Sequence, residues 1–266
     1  MKPTELYLRS ELAEQWQDKD VFSVVAKLQG EVFRDKEGRR TLRFELGNKS
    51  YFLKFHLGVG WQEIIKNLVQ LRAPVISAKN EWRAITFLEQ HNIDTMNIAA
   101  YGERGKNPAK VNSFIITDEL TDTMSLEYLG QQWKQTPPTF KTKITLIRKL
   151  ALIAKDMHEN GMNHRDFYLC HFLLDNKFAE HNTIDESTQL SLIDLHRAQI
   201  RSATPLRWII KDLGSLYFSA ADVPLTKRDL FRFIKIYSGD KLRENLDKNS
   251  SFWANVGKRA GKLLIE

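Results

Sequence analysis

The sequence contains a single cysteine, Cys170, among its 266 residues, so no disulfide can form within the chain. It also lacks any run of about 18 consecutive apolar residues, the length that a membrane-spanning helix requires. The N-terminal residues include Glu5, Glu11 and Glu14 and show no apolar core of the kind found in signal peptides. These absences favour a protein of the reducing cytoplasm, which would have to reach any membrane-bound partner from solution.

The charge balance indicates the kind of partner. Forty Lys and Arg residues against 33 Asp and Glu residues give a net charge of +7. A positive balance favours an anionic partner such as a nucleotide, an anionic glycolipid or a membrane surface. Nucleic acid is the rival, but the sequence shows no helix-turn-helix pattern, zinc-ligand spacing or repeat of aromatic and basic residues, so we expect none to bind.

The stretch from His164 to Leu174 is the most informative part of the chain. It begins with His164-Arg165-Asp166 and ends in the short apolar run that starts at Phe172. In protein-kinase-like phosphotransferases such a loop carries an aspartate that accepts the proton of the attacking hydroxyl and then leads into a strand. The pattern predicts Asp166 as a general base. On the three-residue match alone, a polar turn after a helix is an equally good interpretation.

Two further kinase parts precede this loop in the required order. An apolar and aromatic run, residues 51–55, contains one lysine, Lys54, whose buried charge would need a partner. Glu81 opens a stretch with apolar residues at helical spacing, residues 81–90. The order predicts that Lys54 binds nucleotide phosphates and that Glu81 orients it. Taken singly, Lys54 could be an outward-pointing strand residue and Glu81 a first-turn acid favoured by the helix dipole.

The remaining kinase parts are an aspartate after the loop and a helix before it. Asp194 ends the apolar run of residues 190–194, where a kinase keeps its Mg²⁺-binding aspartate, although such an aspartate is also a common turn signal. Apolar residues at three- and four-residue spacing predict a helix from Lys143 to His158, with Gly161 as its C-cap. Such a helix would hold the catalytic loop in a fixed position.

Together these segments resemble the Kdo/heptose kinase family, a group of lipopolysaccharide-core sugar kinases on the protein-kinase-like fold, and the resemblance extends to Tyr237. It implies an α+β fold of two lobes. Residues 1–117 would form a small, β-rich N-lobe that binds nucleotide, and residues 118–266 a mainly helical C-lobe with the catalytic and acceptor-binding residues. The segments that carry the resemblance are Gly30–Arg34, Arg39–Phe44, Tyr51–His56, Glu63–Asn67, Phe114–Thr117, Asn163–Leu174 and Ile193–Gln199.

The resemblance implies ATP-dependent phosphorylation of the first heptose of the lipopolysaccharide inner core. ATP and Mg²⁺ would be the cofactors, with Asp166 as base, Asp194 on the metal, and Lys54 and Glu81 at the nucleotide. Backbone groups at Glu119 would contact the adenine. The expected partners are the inner-core glycolipid and an anionic membrane surface, at the cytoplasmic face of the inner membrane of a Gram-negative bacterium.

The sequence departs from the general kinase pattern at the second metal position. His171 stands five residues after Asp166, where protein kinases carry an asparagine on a second Mg²⁺. Mg²⁺ prefers oxygen ligands, whereas imidazole suits softer metals. His171 therefore either leaves a weaker metal site or serves another task, such as a hydrogen bond to phosphate or within the loop.

The glycine-rich phosphate loop is also missing. Residues 30–34 contain one glycine, and the segment after Asp194 replaces Asp-Phe-Gly with Asp-Leu-His. Three arginines near the first hairpin would either cover phosphates or be solvated: Arg34, Arg39 and Arg40.

The residues between Asp194 and Asp212 predict the kind of acceptor. Only seventeen residues separate the two aspartates, too few for the long activation segment on which protein kinases bind peptides. Asp212 itself resembles the aspartate that braces the catalytic loop in kinases. The intervening residues include no acid and four bases, and arginines bind carboxylates and phosphates well. We therefore expect an anionic glycan acceptor bound by Arg197, Arg201 and Arg207; the alternative is a solvated basic face.

Two classes of function remain after this reasoning. The first is the heptose kinase. The second is a kinase-fold binding module with weak or lost catalysis, suggested by His171 and the missing glycine loop, or a kinase for another small glycan. Retention of Lys54, Asp166 and Asp194 favours the first. Cys170 is expected to be a small buried apolar residue and not a nucleophile.

Periodicity and breakers also predict the coarse element order. A polar loop is expected from Asn176 to Gln189, and a helix from Phe252 to Ile265 that packs onto the C-lobe in preference to lying on a membrane. In the N-lobe we expect strands near Val21–Phe33, Thr41–Leu46, Tyr51–His56, Ile98–Gly102 and Phe114–Thr117, and helices near Gln62–Leu71 and Lys79–Gln90.

Overall fold

The computed structural model describes residues 3–36, 38–69, 75–180 and 183–265. The chain divides into two compact units. Unit 1 comprises residues 1–87 and 96–120, and unit 2 comprises residues 88–95 and 121–266. Each unit has its own secondary-structure composition, the first dominated by strands and the second by helices. The predicted α+β class is confirmed, whereas the assignment of functional lobes to residues 1–117 and 118–266 stays a prediction.

Unit 1 is built on a six-stranded sheet in the order β1-β5-β6-β4-β3-β2, with antiparallel neighbours throughout. Alternate residues of the central strands are buried, as expected for a sheet with one covered face. The six strands are β1 (Glu5–Leu8), β2 (Glu31–Lys36), β3 (Arg39–Leu46), β4 (Lys49–His56), β5 (Ile98–Arg104) and β6 (Asn112–Asp118).

The core of unit 1 joins this sheet to two short helices, α1 (Ser10–Gln15) and α2 (Val21–Lys27). Their buried residues include Leu12, Phe22 and Val25, which belong to the same apolar cluster as residues of β3, β4 and β6. The rings of Phe22 and Phe114 meet edge to face with their centroids 5.2 Å apart, a favourable aromatic geometry.

The strand predicted from Val21 to Phe33 is wrong over its first part, because residues 21–27 form α2. Asp20 caps this helix by accepting a hydrogen bond from the Ser23 amide. The valines gave the segment a strand-like composition, but Val21, Phe22 and Val25 lie on one helical face and are buried there. Tertiary burial has overridden intrinsic propensity.

Two longer helices complete unit 1. Helix α3 (Gly60–Val69) matches the described part of the helix predicted from Gln62 to Leu71; Leu71 lies outside the described residues. Helix α4 (Lys79–Gln90) has the predicted bounds, and its last three residues belong to unit 2. Trp82 stacks on Tyr101 of β5 with ring centroids 4.6 Å apart, which fixes α4 against the sheet.

Unit 2 is mainly helical and carries two small sheets. A three-stranded sheet has the order β10-β9-β7, and β8 pairs with β11. Helix α6 contacts α9, and α8 contacts α11. The elements are β7 (Thr123–Ser125), α5 (Leu126–Gln132), α6 (Phe140–Glu159), β8 (Met162–Asn163), β9 (Phe172–Asp175), α7 (Asn176–Glu180), β10 (Ser191–Leu192), β11 (Gln199–Ile200), α8 (Leu206–Ser219), α9 (Lys227–Ser238), α10 (Leu242–Lys248) and α11 (Ser250–Leu263).

Helix α6 leads directly to the predicted catalytic loop. Thr139, after the Pro-Pro breaker, caps its start by accepting from the Thr142 amide, and the buried residues of the helix extend to His158. The C-cap is Asn160 and not Gly161. Gly161 follows with φ of +90°, and a side chain there would collide with the main-chain oxygen of Arg201 at 1.9 Å. This position therefore requires glycine, for the turn into β8 and for the close approach of the backbone just after β11.

Three other sequence predictions concern elements of unit 2. Part of the loop predicted from Asn176 to Gln189 is helical, since residues 176–180 form α7. The strand expected from Leu190 to Asp194 is only the two-residue β10. Helix α11 is confirmed, and it packs on α8 through Val256 and Ala260, as preferred. Among the described residues, no helix is both long and apolar enough to cross a membrane.

Candidate active site

Lys54 and Glu81 lie together in unit 1. The Lys54 ammonium nitrogen is 2.7 Å from a carboxylate oxygen of Glu81. Lys54 projects from β4, between β3 and β6, and Glu81 from the first turn of α4. Glu81 is only 2% exposed, so its carboxylate depends on this cation to offset desolvation. The predicted pair is present, and its role at a nucleotide stays a prediction.

Glu119 lies just after β6, where an ion pair fixes its side chain. Its carboxylate accepts from the Arg43 guanidinium at 2.7 and 2.9 Å, and its amide donates to the Ser50 carbonyl at 3.0 Å. Burial alone would raise the pKa of Glu119, but the hydrogen bond from Ser50 and the charge of Arg43 hold it below its usual value. The carboxylate therefore ties β3 to the end of β6, which leaves the main chain of Glu119 for nucleotide binding.

A second arginine holds the preceding residue. Arg9, between β1 and α1, binds Asp118 with both terminal nitrogens, at 2.6 and 2.8 Å. The hydrogen bonds that Arg9 donates to Asp118 raise the pKa of Arg9 above its already high value. Bidentate geometry of this kind is directional, so it fixes the end of β6 more firmly than a single contact would.

In unit 2, the buried carboxylate of Asp212 braces the His-Arg-Asp loop. One oxygen accepts from the His164 amide at 2.7 Å and the other from the Arg165 amide at 2.8 Å. Arg165 has φ of +78°, a strained backbone for a residue with a side chain, and the two hydrogen bonds hold it there. His158 of α6 also lies 3.4 Å from Asp212. The helix α8 aspartate therefore fixes the conformation of the loop that presents Asp166.

His164 connects the loop to the segment before Asp194. Its side chain is fully buried, its Nδ1 accepts from the Asp166 amide at 3.2 Å, and its Nε2 donates to the Ile193 carbonyl at 3.0 Å. Burial lowers the pKa of His164, in agreement with a neutral ring that carries its proton on Nε2. His164 thus sets the spacing between the predicted base and the predicted metal ligand.

The carboxylate of Asp166 is paired with Arg197. A terminal nitrogen of the guanidinium lies 2.7 Å from Oδ1 of Asp166. Arg197 ends a short 3-10 turn, residues 195–197, directly after Asp194. Sequence reasoning assigned Arg197 to the acceptor; the structure places it on Asp166, and its acceptor contact stays a prediction.

His171 forms a hydrogen bond within the loop, one of the tasks considered for it. Its Nδ1 donates to the main-chain oxygen of Asp166 at 2.7 Å, which leaves Nε2 directed toward Oδ2 of Asp194 at 3.7 Å. With Nδ1 protonated, a neutral ring presents the Nε2 lone pair on the side of Asp194. An asparagine could reproduce both features, because its amide combines one donating and one accepting atom.

Asp194 occupies a left-handed backbone position, with φ of 60° and ψ of 51°. Its Oδ1 accepts from Nδ1 of His196 at 2.7 Å. Among the described residues, no group of three His, Cys, Asp or Glu side chains is arranged to hold a metal. A single half-buried carboxylate still suits Mg²⁺, which is commonly bound by one or two carboxylates with phosphate oxygens and water. The residues therefore fit a metal that is held largely by a nucleotide.

The other predicted acceptor residues lie around the start of α8. Arg201 donates to the side-chain oxygens of Asn163 and Gln199, and Arg207 is exposed beside Trp208. Cys170 is half-buried, less than expected, and burial raises the pKa of its thiol. A protonated thiol is a poor nucleophile, which agrees with the apolar role predicted for it.

Sequence reasoning missed several partners of the predicted residues. No local signal identified Arg9, because it meets Asp118 across 109 positions of sequence. His196 had a weak signal, since it lies two residues after Asp194 in the motif already examined. Asp212 was recognised as a loop brace but was not placed among the site residues.

An antiparallel sheet with a lysine–glutamate pair, followed by a helical part whose aspartate braces a His-Arg-Asp loop, characterises the protein-kinase-like phosphotransferases, and this chain is such an enzyme. It belongs to the lipopolysaccharide kinase (Kdo/WaaP) family, whose sequence model matches residues 23–237.

Curated relatives cover nearly the whole chain. The lipopolysaccharide core heptose(I) kinase WaaP of Escherichia coli strain K12 is 49% identical over 251 residues, which are 94% of each chain. The protein of the same name from Pseudomonas aeruginosa PAO1 is 47% identical over 248 residues, 93% of this chain and 91% of that one. A solved structure of WaaP in complex with acyl carrier protein matches with a TM-score of 0.83 and 42% identity, covering 98% of this chain and 99% of that one.

Proposed function

We propose that this enzyme transfers phosphate from ATP to the first heptose of the lipopolysaccharide inner core. The observation that carries the proposal is the near-complete match to two relatives named as heptose(I) kinases of that core. Membership of a kinase family implies ATP as the phosphate donor. With this acceptor, we propose that the reaction takes place at the cytoplasmic face of the inner membrane of a Gram-negative bacterium. The protein would reach that membrane as a peripheral enzyme.

Asp166 is the proposed general base. Its carboxylate would take the proton of the heptose hydroxyl as that oxygen attacks the terminal phosphorus of ATP and ADP leaves. The brace from Asp212 and the ion pair with Arg197 support this role, because they fix the loop and one carboxylate oxygen and leave Oδ2 for the hydroxyl. Positioning of this kind is a large part of catalysis in phosphoryl transfer.

Asp194 is the proposed ligand for Mg²⁺, and His171 the candidate for a second contact. When bound, the metal would neutralise charge on the ATP phosphates. Asp194 supplies the hard oxygen donor, held in orientation by His196. His171 would act through Nε2, either with its lone pair on a metal or, when the ring is protonated on both nitrogens, with an N–H donated to phosphate, while its Nδ1 remains bonded to the loop.

The nucleotide residues proposed in unit 1 are Lys54, Glu81 and Glu119. Lys54 would contact phosphate oxygens, and Glu81 would keep its ammonium in place. The amide of Glu119 is engaged with Ser50, so its contribution to adenine binding would come from its carbonyl oxygen. The ion pairs from Arg9 and Arg43 support a defined backbone at this point.

The decisive experiment is a phosphate-transfer assay with purified inner-core acceptor, ATP and Mg²⁺. We expect transfer to the first heptose by the wild type and a loss of about 10²–10⁴-fold in Asp166→Ala, with ATP binding retained. Asp247→Ala, an exposed carboxylate on α10, serves as the matched control. Transfer to a different sugar would redirect the acceptor assignment, and ATP binding without any transfer would favour a kinase-fold binding module.

We also propose an acyl carrier protein as a partner, because the similar solved structure is a complex with one. Unit 2 contains an apolar cavity of about 290 Å³, and an acyl chain on the carrier would match its lining. The cavity is lined by residues that include Trp133, Leu146, Leu150, Leu169, Leu216 and Val223.

Titration of the full chain with acylated and with unacylated carrier protein tests this partner. We expect the acylated form to bind more tightly and to raise the melting temperature more, because only it brings an apolar chain. Equal affinity of the two forms would remove the cavity from the interaction, and no binding of either would remove the partner.

A further inference from the structure

A group of cationic side chains surrounds Trp208 at the start of α8. Three cations lie near its indole ring, with centroid distances of 5.1 Å for Arg165 and 5.5 Å for Arg207, and 4.4 Å for Lys211. Distances below about 6 Å are in the range of cation–π attraction. We call the following residues the Trp208 cluster: Arg165, Arg201, Arg207, Trp208, Lys211 and Arg259.

The cations of the Trp208 cluster have no acidic partner. Within the part of the chain that the structure describes, none of the five forms an ion pair with a carboxylate. Arg201 is bonded only to neutral oxygens, those of Asn163 and Gln199. The nearby Asp166 is paired with Arg197, and Asp212 is committed to two main-chain amides and His158. Asp166 and Asp212 act on Arg165 through space, but the cluster as a whole holds an excess of positive charge.

Desolvation and mutual repulsion both lower the pKa values of cations in the Trp208 cluster. Partial desolvation lowers the pKa of the exposed Lys211, and the charges of Arg259, Arg165 and other arginines lower it further. Burial also lowers the pKa of Arg165 and of Arg201, with further decreases from Arg197 and from Arg207 respectively. Cations gathered this closely are costly unless an anion joins them.

Buried hydrogen-bond donors in the Trp208 cluster also favour the binding of an anion. Three buried nitrogens have no hydrogen-bond partner among the residues that the structure describes: Nε of Arg165, Nε1 of Trp208 and Nε of Arg259. Buried donors are nearly always paired, and each unpaired one costs free energy. A carboxylate or phosphate that enters the cluster would supply both the missing charge and acceptor oxygens.

We propose that the Trp208 cluster binds a phosphate or carboxylate group of the acceptor, apart from the sugar that is phosphorylated. The inference rests on the proposed function for the identity of the acceptor, and it adds the side chains around Trp208 to the acceptor-binding residues. Arg165 links this anion to catalysis, because Arg165 lies in the loop that presents Asp166. The amide of Arg165 is bonded to Asp212 of α8, which braces that loop. Binding of the acceptor anion would thus hold the acceptor in register with the base.

The double variant Arg207→Gln/Lys211→Gln tests the proposal, since both side chains are exposed and neither forms a hydrogen bond within the described part of the chain. The matched control, Arg243→Gln/Lys248→Gln, removes two exposed cations from α10. We expect the first variant to raise the KM for acceptor about tenfold or more, with the KM for ATP unchanged, because it removes charge-assisted contacts to one substrate. The control should stay within about twofold of the wild type.

Acceptors from which either the phosphates or the sugar carboxylates have been removed identify the group that is bound. The effect of the double variant should disappear with the acceptor that lacks the recognised anion and persist with the other. Equal KM values for variant and control on the intact acceptor would overturn the proposal. A fall in activity that both variants share would have the same consequence, since it reflects net charge alone.

A binding measurement separates this inference from the proposed function. The melting temperature of the full chain is measured in inorganic phosphate, in acetate and in chloride at equal ionic strength. We expect phosphate or acetate to stabilise the wild type and the control more than the double variant. This result would support the anion site even if the wild type failed to phosphorylate a heptose, whereas no anion-specific difference would overturn it.

Discussion

The guanidinium of Arg197 lies 2.7 Å from the carboxylate of Asp166, so the proposed general base is already engaged with a cation. Arg197 follows Asp194 by three residues, in the 3-10 turn that this aspartate begins. The pair therefore joins the loop that carries the base to the segment that carries the proposed metal ligand. A guanidinium on Oδ1 orients the carboxylate, which distinguishes this contact from a simple surface ion pair.

We expect Arg197→Ala to lower kcat about tenfold or more with little change in the KM for ATP. The Asp166 carboxylate would still be present, but it would no longer be held in one orientation. Arg197→Lys should lie between this variant and the wild type, since an ammonium keeps the charge but not the planar geometry of a guanidinium. Steady-state kinetics at saturating acceptor make the comparison, with Arg243→Ala as control. A change in the KM for acceptor alone would restrict Arg197 to substrate binding.

Asp194→Asn should raise the Mg²⁺ concentration needed for half-maximal activity and lower turnover, because it removes the formal charge that Mg²⁺ prefers in a ligand. A Mg²⁺ titration of ATP turnover measures both effects, and Asp247→Asn provides an exposed control on α10. Unchanged metal dependence would exclude Asp194 as the metal ligand.

His171→Asn should keep most of the activity, whereas His171→Ala should lose it. Asparagine can donate to the Asp166 carbonyl and present an oxygen toward Asp194, the two directions used by the imidazole. Initial rates and melting temperatures are measured for both variants. If asparagine fails as badly as alanine while the fold is intact, the imidazole itself has a task that an amide cannot perform.

Asp212→Ala should destabilise the protein by about 1–3 kcal/mol or more, since the buried His164 amide and the half-buried Arg165 amide would both lose their acceptor. Asp212→Asn should cost less, because its remaining oxygen can still accept. Denaturant unfolding followed by circular dichroism measures the difference. An alanine variant as stable as the wild type would show that Asp212 is not the brace of the loop.

The hydrogen bonds of Asp229 predict how the stability of the protein changes at acidic pH. Burial alone would raise its pKa, but hydrogen bonds from Lys143 and Thr226 hold it at about 2, below the ordinary 3.8. Because the folded-state pKa is the lower one, the stabilisation is complete above about pH 4 and is lost as the pH falls toward 2. The melting-temperature deficit of Asp229→Asn should therefore be large at pH 7 and shrink as the pH falls below 4. A constant deficit would assign the loss to packing.

The order of the kinase parts and most of the elements that carry them were predictable, because their signals are local. Apolar periodicity predicted α4 and α6, and the short apolar and aromatic run in Tyr51–His56 predicted β4. Local composition misled at Val21, where valines suggested a strand and an Asp20 cap with burial on one face produced a helix. Propensity is a weak signal when tertiary packing opposes it.

The sequence by itself determined which chemical groups are available: a lysine in a strand, a glutamate in a helix, and two aspartates at loop and strand ends, in an order that defines a kinase family. Only the tertiary structure decided their partners. Arg9 meets Asp118 across 109 positions, Arg197 turned out to bind the proposed base, and three cations converge on Trp208. Ion pairs and cation–π contacts depend on the distance between groups in space. Folding brings together residues that are far apart in sequence, so the sequence separation of two residues does not predict whether they form such a contact.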